Sequence, residues 1–292
     1  MRARGLNNMG YGTQRCERMS VDSQTKTFKA LYGCTPTVCV ALWIDLQKIG
    51  NEEKRLCVRD VEDDIKAFLL TLRFLKAYPR AVAEAGRFGW GLNKCREKKW
   101  AMIDRLVFLC GKTIKWPAAW TTENSANIPT FLVSVDGIHC EIQEPSHGRW
   151  SKNTAYYSHK FEKSALAYEV AIAVFESKVV WINGPFPAAT QDITIFKQAL
   201  EQKIPTNCYA VVDNGYSNRP KLALPSPVDS PALRKFKSRI RARQESFNTL
   251  LKNFDVLKQQ FRHGETQHGD CFRAVAVICQ YQLDHESPLF DP

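Results

Sequence analysis

The pattern of apolar positions along this chain changes its period once, near residue 125. From residue 35 to residue 110 apolar side chains recur at helical spacing. Thr35-Pro36 supplies an N-cap followed by proline at the first helical position, and Cys39, Leu42, Leu46 and Ile49 continue the stripe until Gly50. A second helix opens after Asp60, carries Val61, Ile65, Phe68, Leu72 and Leu75 on one side, and closes at Pro79. The turn "GRFGWGLN" leads into a third helix with Trp100, Ile103, Val107 and Cys110 as its stripe. From residue 131 the runs become continuous and β-branched: "FLVSVDGIHCEI", "AYEVAIAVF", "KVVWI" and "CYAVVDNGY". Such runs predict central strands covered on both faces. "GPFPAATQDITIF" reads as a loop with a short helix and "SNRPKLALPSPVDSP" as a Pro-rich loop. A last amphipathic helix, "RKFKSRIRARQESFNTLLKNF", begins a stripe of Ile240, Phe247, Leu250, Leu251, Phe254, Leu257 and Phe261, with Arg241, Glu245, Asn248 and Lys252 on its opposite side.

Strands followed by a long helix predict an α/β fold, a sheet packed by helices, preceded by a small all-α domain. The implied divisions are a loose aperiodic tail over 1–24, a helical domain over 25–120 and the α/β domain over 128–292. Lys94, Arg96, Lys98 and Lys99 open the third helix after a glycine turn, which fits a helix-turn-helix reader with Lys94, Lys98 and Lys99 on DNA. A helical bundle that merely caps the next domain fits the same pattern and is the plainer reading.

Composition adds a partner. Against 30 Asp and Glu stand 41 Lys and Arg, a net charge of +11, which favours polyanions and nucleic acid first among them. The N-terminal "MRARGLNNMGYG" has no apolar h-region, and the runs "ALAYEVAIAVF" and "KVVWINGPF" are too short to span a bilayer. A soluble intracellular protein with no membrane partner is expected. The ten cysteines form no CxxC pair and do not cluster with the six histidines, so reduced core thiols are expected in place of a zinc site.

Three carboxylates carry the candidate chemistry. Asp136 and Asp213 read as carboxylates at the ends of apolar strands, where a charge is costly to desolvate unless something compensates it. With Glu245 on the polar side of the last helix, they could hold two divalent ions about 4 Å apart, the clamp for in-line attack on a phosphodiester. An ordinary solvated, salt-bridged face also accounts for a helical Glu such as Glu245. Gly137 and Gly215 allow close approach of backbone to ligand. His139, Tyr157, His159 and Lys160 add donors whose plainer role is structural. The run Arg234, Lys235, Lys237, Arg239, Arg241, Arg243 holds six positive residues and leads into Glu245, so a phosphate track is favoured over a nuclear localisation signal.

In order, "VDGIHCEI", "YYSHKF", "VVWINGPFPAATQDITIF", "VVDNGY", "LRKFKSRIRARQESFNTLLKNF" and "FRHG…CFRAVAVICQYQLDHESPLFD" resemble the DDE endonuclease domain of the PIF/Harbinger transposase superfamily, from about residue 131 to 291. The resemblance implies an RNase H-like fold, with Asp136, Asp213 and Glu245 as the catalytic, metal-binding triad. It implies that Asp192 assists at the metal and that the cofactor is two Mg²⁺, with Mn²⁺ as the alternative ion. The interval of 32 positions from Asp213 to Glu245 suits that fold. Asn214 stands where the resemblance leads one to expect Ser or Ala, and "YSNRP" replaces a more usual Tyr-Arg-Gly run. DNA is the implied partner and the nucleus the implied compartment. An accessory DNA-binding protein and a homo-oligomer on DNA stay open. A catalytically silent DNA-binding protein derived from such a transposase is the alternative function.

Overall fold

The computed structural model describes residues 1–53, 60–118, 120, 130–147, 151–216 and 219–292. The chain falls into two compact units that are not continuous in sequence. The first comprises residues 1–113, 251–259 and 270–287; the second comprises 114–250, 260–269 and 288–292. The division thus falls at 113/114, whereas the change of texture near 125 lies outside the described residues. The C-terminal segment expected wholly within the α/β domain is split between the two units.

The first unit is helical. It contains α1 (Arg2–Asn8), α2 (Thr13–Glu17), α3 (Val21–Tyr32), α4 (Pro36–Glu52), α5 (Val61–Ala77), α6 (Ala81–Phe88), α7 (Leu92–Thr113), α11 (Asp255–Lys258) and most of α12 (Glu265–His285). The caps are those the sequence predicts: Thr35 Oγ1 accepts from the Val38 N–H, and an Asp60 carboxylate oxygen accepts from Glu62 and Asp63. Residues 1–24 depart from the expected tail. Leu6 is fully buried and the Tyr32 hydroxyl donates to the Gly5 carbonyl at 2.8 Å. A helix of seven residues buries too few side chains to show a period, which is why the stretch reads as structureless. In α7 the buried stripe is Cys95, Lys99, Met102, Ile103, Leu106, Leu109 and Cys110, with Trp100 and Val107 only half-buried. Among the described residues no single helix is long and apolar enough to cross a membrane. The nine described cysteines are free thiols, eight of them buried, as expected of core residues.

The second unit is a mixed sheet flanked by helices. Its strands are β1 (Thr130–Glu141), β4 (Tyr157–Ser158), β5 (Lys163–Ala173), β6 (Val179–Pro187), β7 (Cys208–Val211) and β8 (Leu222–Ala223), with β2 (Ser146–His147) and β3 (Ser151–Lys152) a separate pair. The order is β6-β5-β1-β7-β8, with β4 also on β5. Neighbours β6, β5 and β1 run antiparallel, whereas β7 is parallel to β1 and β8 parallel to β7. Helices α8 (Asp192–Gln198) and α9 (Leu200–Lys203) cover one face, where Ile193, Phe196 and Leu200 pack on Val133, Val135, Ala171 and Ala210. Helix α10 (Pro231–Lys252) covers the other, where Ile240 packs with Val174, Val211 and Ala223. The expected stripe from Ile240 to Phe261 is not one helix: α10 ends at Lys252 and a single turn reopens at Asp255.

Within the first unit Gly33 closes α3 at φ 85°, and a Cβ there would overlap the Phe254 ring. Gly33→Ala combines left-handed strain with overpacking, and should lower the unfolding free energy by about 2 kcal/mol or more in urea titrations.

Candidate active site

Side-chain alternation along β1 divides the polar residues between the two faces of the sheet. On the α10 face, the Ser134 hydroxyl bonds the Gln244 side-chain oxygen at 2.7 Å, and two residues on the Asn248 amide donates to Asp136 Oδ2 at 2.6 Å. The other Asp136 oxygen accepts from the Gly137 N–H at 2.8 Å. Asp213 follows the end of β7 by two residues and shares the parity of Val211, which packs toward α10. Its Oδ1 accepts from the Gly215 N–H at 2.9 Å, and a Cβ on Gly215 would sit 3.0 Å from that oxygen. Glu245 is exposed on α10, one position after Gln244.

Burial pushes the Asp136 carboxyl up to about 6, with the Asp213 charge the next cause and Glu245 adding to it; the Gly137 and Asn248 bonds oppose the rise. Asp136 is therefore an electrostatic neighbour of both Asp213 and Glu245. Among the described residues no ion pair engages any of them, and no three His, Cys, Asp or Glu side chains are gathered closely enough to hold a metal ion. Asp136 is held by an amide and a backbone N–H. The donor set itself, carboxylate oxygens next to a side-chain amide, fits a hard divalent cation.

Asp192, assigned to the metal from the sequence, lies on the opposite face from Asp136. It is the first residue of α8, and its carboxylate occupies the space that a Cβ on Gly137 would fill. Gly137 and Asp136 are adjacent in a regular stretch of β1, so what stands over one cannot stand over the other. Asp192 is raised by burial and then by Asp213, while Lys160 lowers it. The β1–β7 pairing ends at Ser134 and Val211, so that Asp213, past the end of β7, is in electrostatic range of both faces. His139 Nδ1 lies 2.8 Å from the Ser158 hydroxyl, a structural bond.

Two residues that the sequence reading missed share the Asp192 face. Glu169 pairs with Gly137 across the sheet and is 2% exposed; the Trp181 indole donates to its Oε2 at 2.8 Å, and its Oε1 has no partner among the described residues. Tyr216 is also 2% exposed with an unpartnered hydroxyl, and its phenol is raised by burial first, then by Asp192, Glu169, Asp136 and Asp213. The legible signal was a lone acid inside the apolar run "ALAYEVAIAVF", which no solvated strand face requires.

Six of the eight assigned DNA contacts are committed elsewhere or buried. Lys99 is 7% exposed, with its ammonium over the Phe74 and Trp100 rings. Lys94 pairs with Asp63 at 2.8 Å and Lys98 lies 3.7 Å from Asp64, so the acidic start of α5 neutralises the start of α7. Lys237, 7% exposed, donates to the Leu224 carbonyl and to Asp229. Arg243, 2% exposed, donates to the carbonyls of Phe290, Ala173 and Glu176. Arg239 is exposed but its guanidinium bonds the Asp291 carbonyl. Arg234 and Arg241 make no such bond among the described residues, and the Arg241 Nε is buried without a partner.

Two outcomes are expected at Gly137 and Glu169. Gly137→Ala should displace the Asp192 carboxylate and destabilise the protein by about 1–3 kcal/mol, read by thermal unfolding. Burial, opposed by the Trp181 bond and helped by Asp192, raises the Glu169 carboxyl from 4.5 to about 7. The fold therefore favours the neutral acid: that contribution is complete below pH 4.5 and is lost as pH rises through 7. Glu169→Gln should be near neutral at pH 5 and stabilising at pH 8, by at most on the order of 3 kcal/mol. Urea unfolding in EDTA at both pH values measures this, and an equal effect at the two would contradict it.

The comparisons bear on what this arrangement is. No curated protein matches the chain, and no solved structure does. The model of the DDE superfamily endonuclease family matches residues 135–280, half of the chain, and that span contains Asp136, Glu169, Asp192, Asp213, Tyr216 and Glu245. A mixed sheet flanked by helices is in keeping with the match, and the chain belongs to the DDE superfamily endonuclease family.

Proposed function

We propose that this protein is a divalent-metal-dependent DNA endonuclease of transposase type, with Asp136, Asp213 and Glu245 as its catalytic carboxylates. The observation that carries the reading is that Asp136 lies in electrostatic range of both Asp213 and Glu245, with no ion pair among the described residues to neutralise the three. The strand order β6-β5-β1-β7-β8, with the last two parallel to β1, supports an RNase H-like architecture. The ordered motifs from "VDGIHCEI" to "CFRAVAVICQYQLDHESPLFD" support the PIF/Harbinger branch within the family.

Asp136, Asp213 and Glu245 would hold the divalent ions, which when bound activate the attacking oxygen and stabilise the leaving one. The chain's own part is positioning. Asn248 and the Gly137 N–H fix the Asp136 carboxylate, the Gly215 N–H fixes Asp213, and the Ser134–Gln244 bond sets the register of α10 so that Glu245 stands beside them. Glu245 is exposed and Asp136 half-buried, so one side of the centre stays open to a strand of DNA.

Asp213→Asn should lower Mg²⁺-dependent cleavage of a duplex bearing terminal inverted repeats by at least about a hundredfold, while its affinity for that duplex in EDTA stays within a few-fold of the parent. Cleavage by the variant at the parental rate sinks the assignment.

A further inference from the structure

We infer that a cleft beside Asp213 and Glu245 is a subsite for a backbone phosphate of the DNA, adjoining the phosphodiester that the carboxylates address. The cleft measures about 390 Å³ and is lined by Asn214, Ser226, Arg234, Ser238 and Arg241, with Pro225 and Pro227 as apolar wall. Its size falls in the range of a small-ligand site. Every one of these residues belongs to the sheet unit.

The charge of the lining decides the ligand. Lys237 and Asp229 also border the cleft, but they neutralise each other at 2.8 Å, and Asp229 is further satisfied by the Ser226 N–H. What remains is two guanidinium groups outside any ion pair among the described residues, two serine hydroxyls and an amide. The buried, unpartnered Arg241 Nε is a donor already withdrawn from water with nothing to donate to. A planar fork of this kind matches a carboxylate or a phosphate bidentately, and beside an endonuclease centre the anion at hand is a phosphate of the DNA.

Position identifies which phosphate. Asn214 follows Asp213 directly, and Arg241 precedes Glu245 by four residues, one turn along the same side of α10. An anion held here lies next to the carboxylate centre without entering it. The residues sort the basic run as well. Lys237, Arg239 and Arg243 bond backbone carbonyls and hold α10 in place, which leaves Arg234 and Arg241 as the pair that faces an open cleft.

The nature of the anion rests on the endonuclease reading above, so the test separates the two. Affinity for a DNA duplex is measured by fluorescence anisotropy in EDTA across a salt series, for the parent, Arg234→Ala/Arg241→Ala, Arg241→Lys and the charge control Lys197→Ala. The double variant should bind about tenfold or more weakly, and its slope of log affinity against log salt should flatten by about two. Arg241→Lys keeps the charge and loses the fork, so it should lose affinity with the slope unchanged; it also keeps the inference testable if the double variant folds poorly. Affinity and slope at the values of Lys197→Ala overturn the subsite, whatever the cleavage assay gives. If instead Asp213→Asn still cleaves while the double variant binds weakly, the catalytic assignment fails and the cleft stands as a DNA contact.

Discussion

A carboxylate placed in the middle of a sheet is the constraint from which most of the second unit follows. Asp136 is half-buried, and a charge there must be compensated or neutralised. The compensation is an amide and a backbone N–H, and the amide is borne by α10. Gln244 and Asn248, one turn apart, both reach β1, so the rotation of the helix about its axis is fixed. That rotation alone decides which residues of α10 lie beside the carboxylates. The buried Arg243 and Lys237 reinforce it from neighbouring positions, by saturating carbonyls of Ala173, Glu176, Phe290 and Leu224. In a protein with a surplus of cations, some of the most basic residues serve as fasteners.

The same sheet carries a second group of acids behind the first. Gly137 makes this possible, because the Asp192 carboxylate rests where any side chain would stand. Glu169 and Tyr216 complete that layer with polar atoms that have no partner. Two layers of negative potential separated by one strand reinforce each other, since the phenol of Tyr216 is raised by residues of both. The electrostatic character of the centre is thus set by six residues on three strands or strand ends and two helices.

Local patterns carried the elements well. The caps at Thr35 and Asp60, the strands β1, β5, β6 and β7 and the helix holding Glu245 are all legible, because periodicity and capping are decided within a few residues. Three things are not. The sheet face of Asp192 depends on which strand its helix packs against, and sequence order does not encode that. The inward turn of Lys237 and Arg243 depends on the carbonyls of loops remote in sequence; a helical wheel shows both simply as polar. Lys99 resembles a DNA contact in sequence because a buried lysine over two aromatic rings has the same local sequence as an exposed one. Glu169 is different in kind, since a single acid in an apolar strand could have been recognised.

The division of the chain sets a schedule for its synthesis. Residues 270–287 group with the helices of 1–113, so the first unit to leave the ribosome waits for the last helix before its contacts are complete. More than 150 residues separate the two, which at ordinary elongation rates is a delay on the order of ten seconds. During that interval α5 lacks the contact that α11 makes with it in the folded unit.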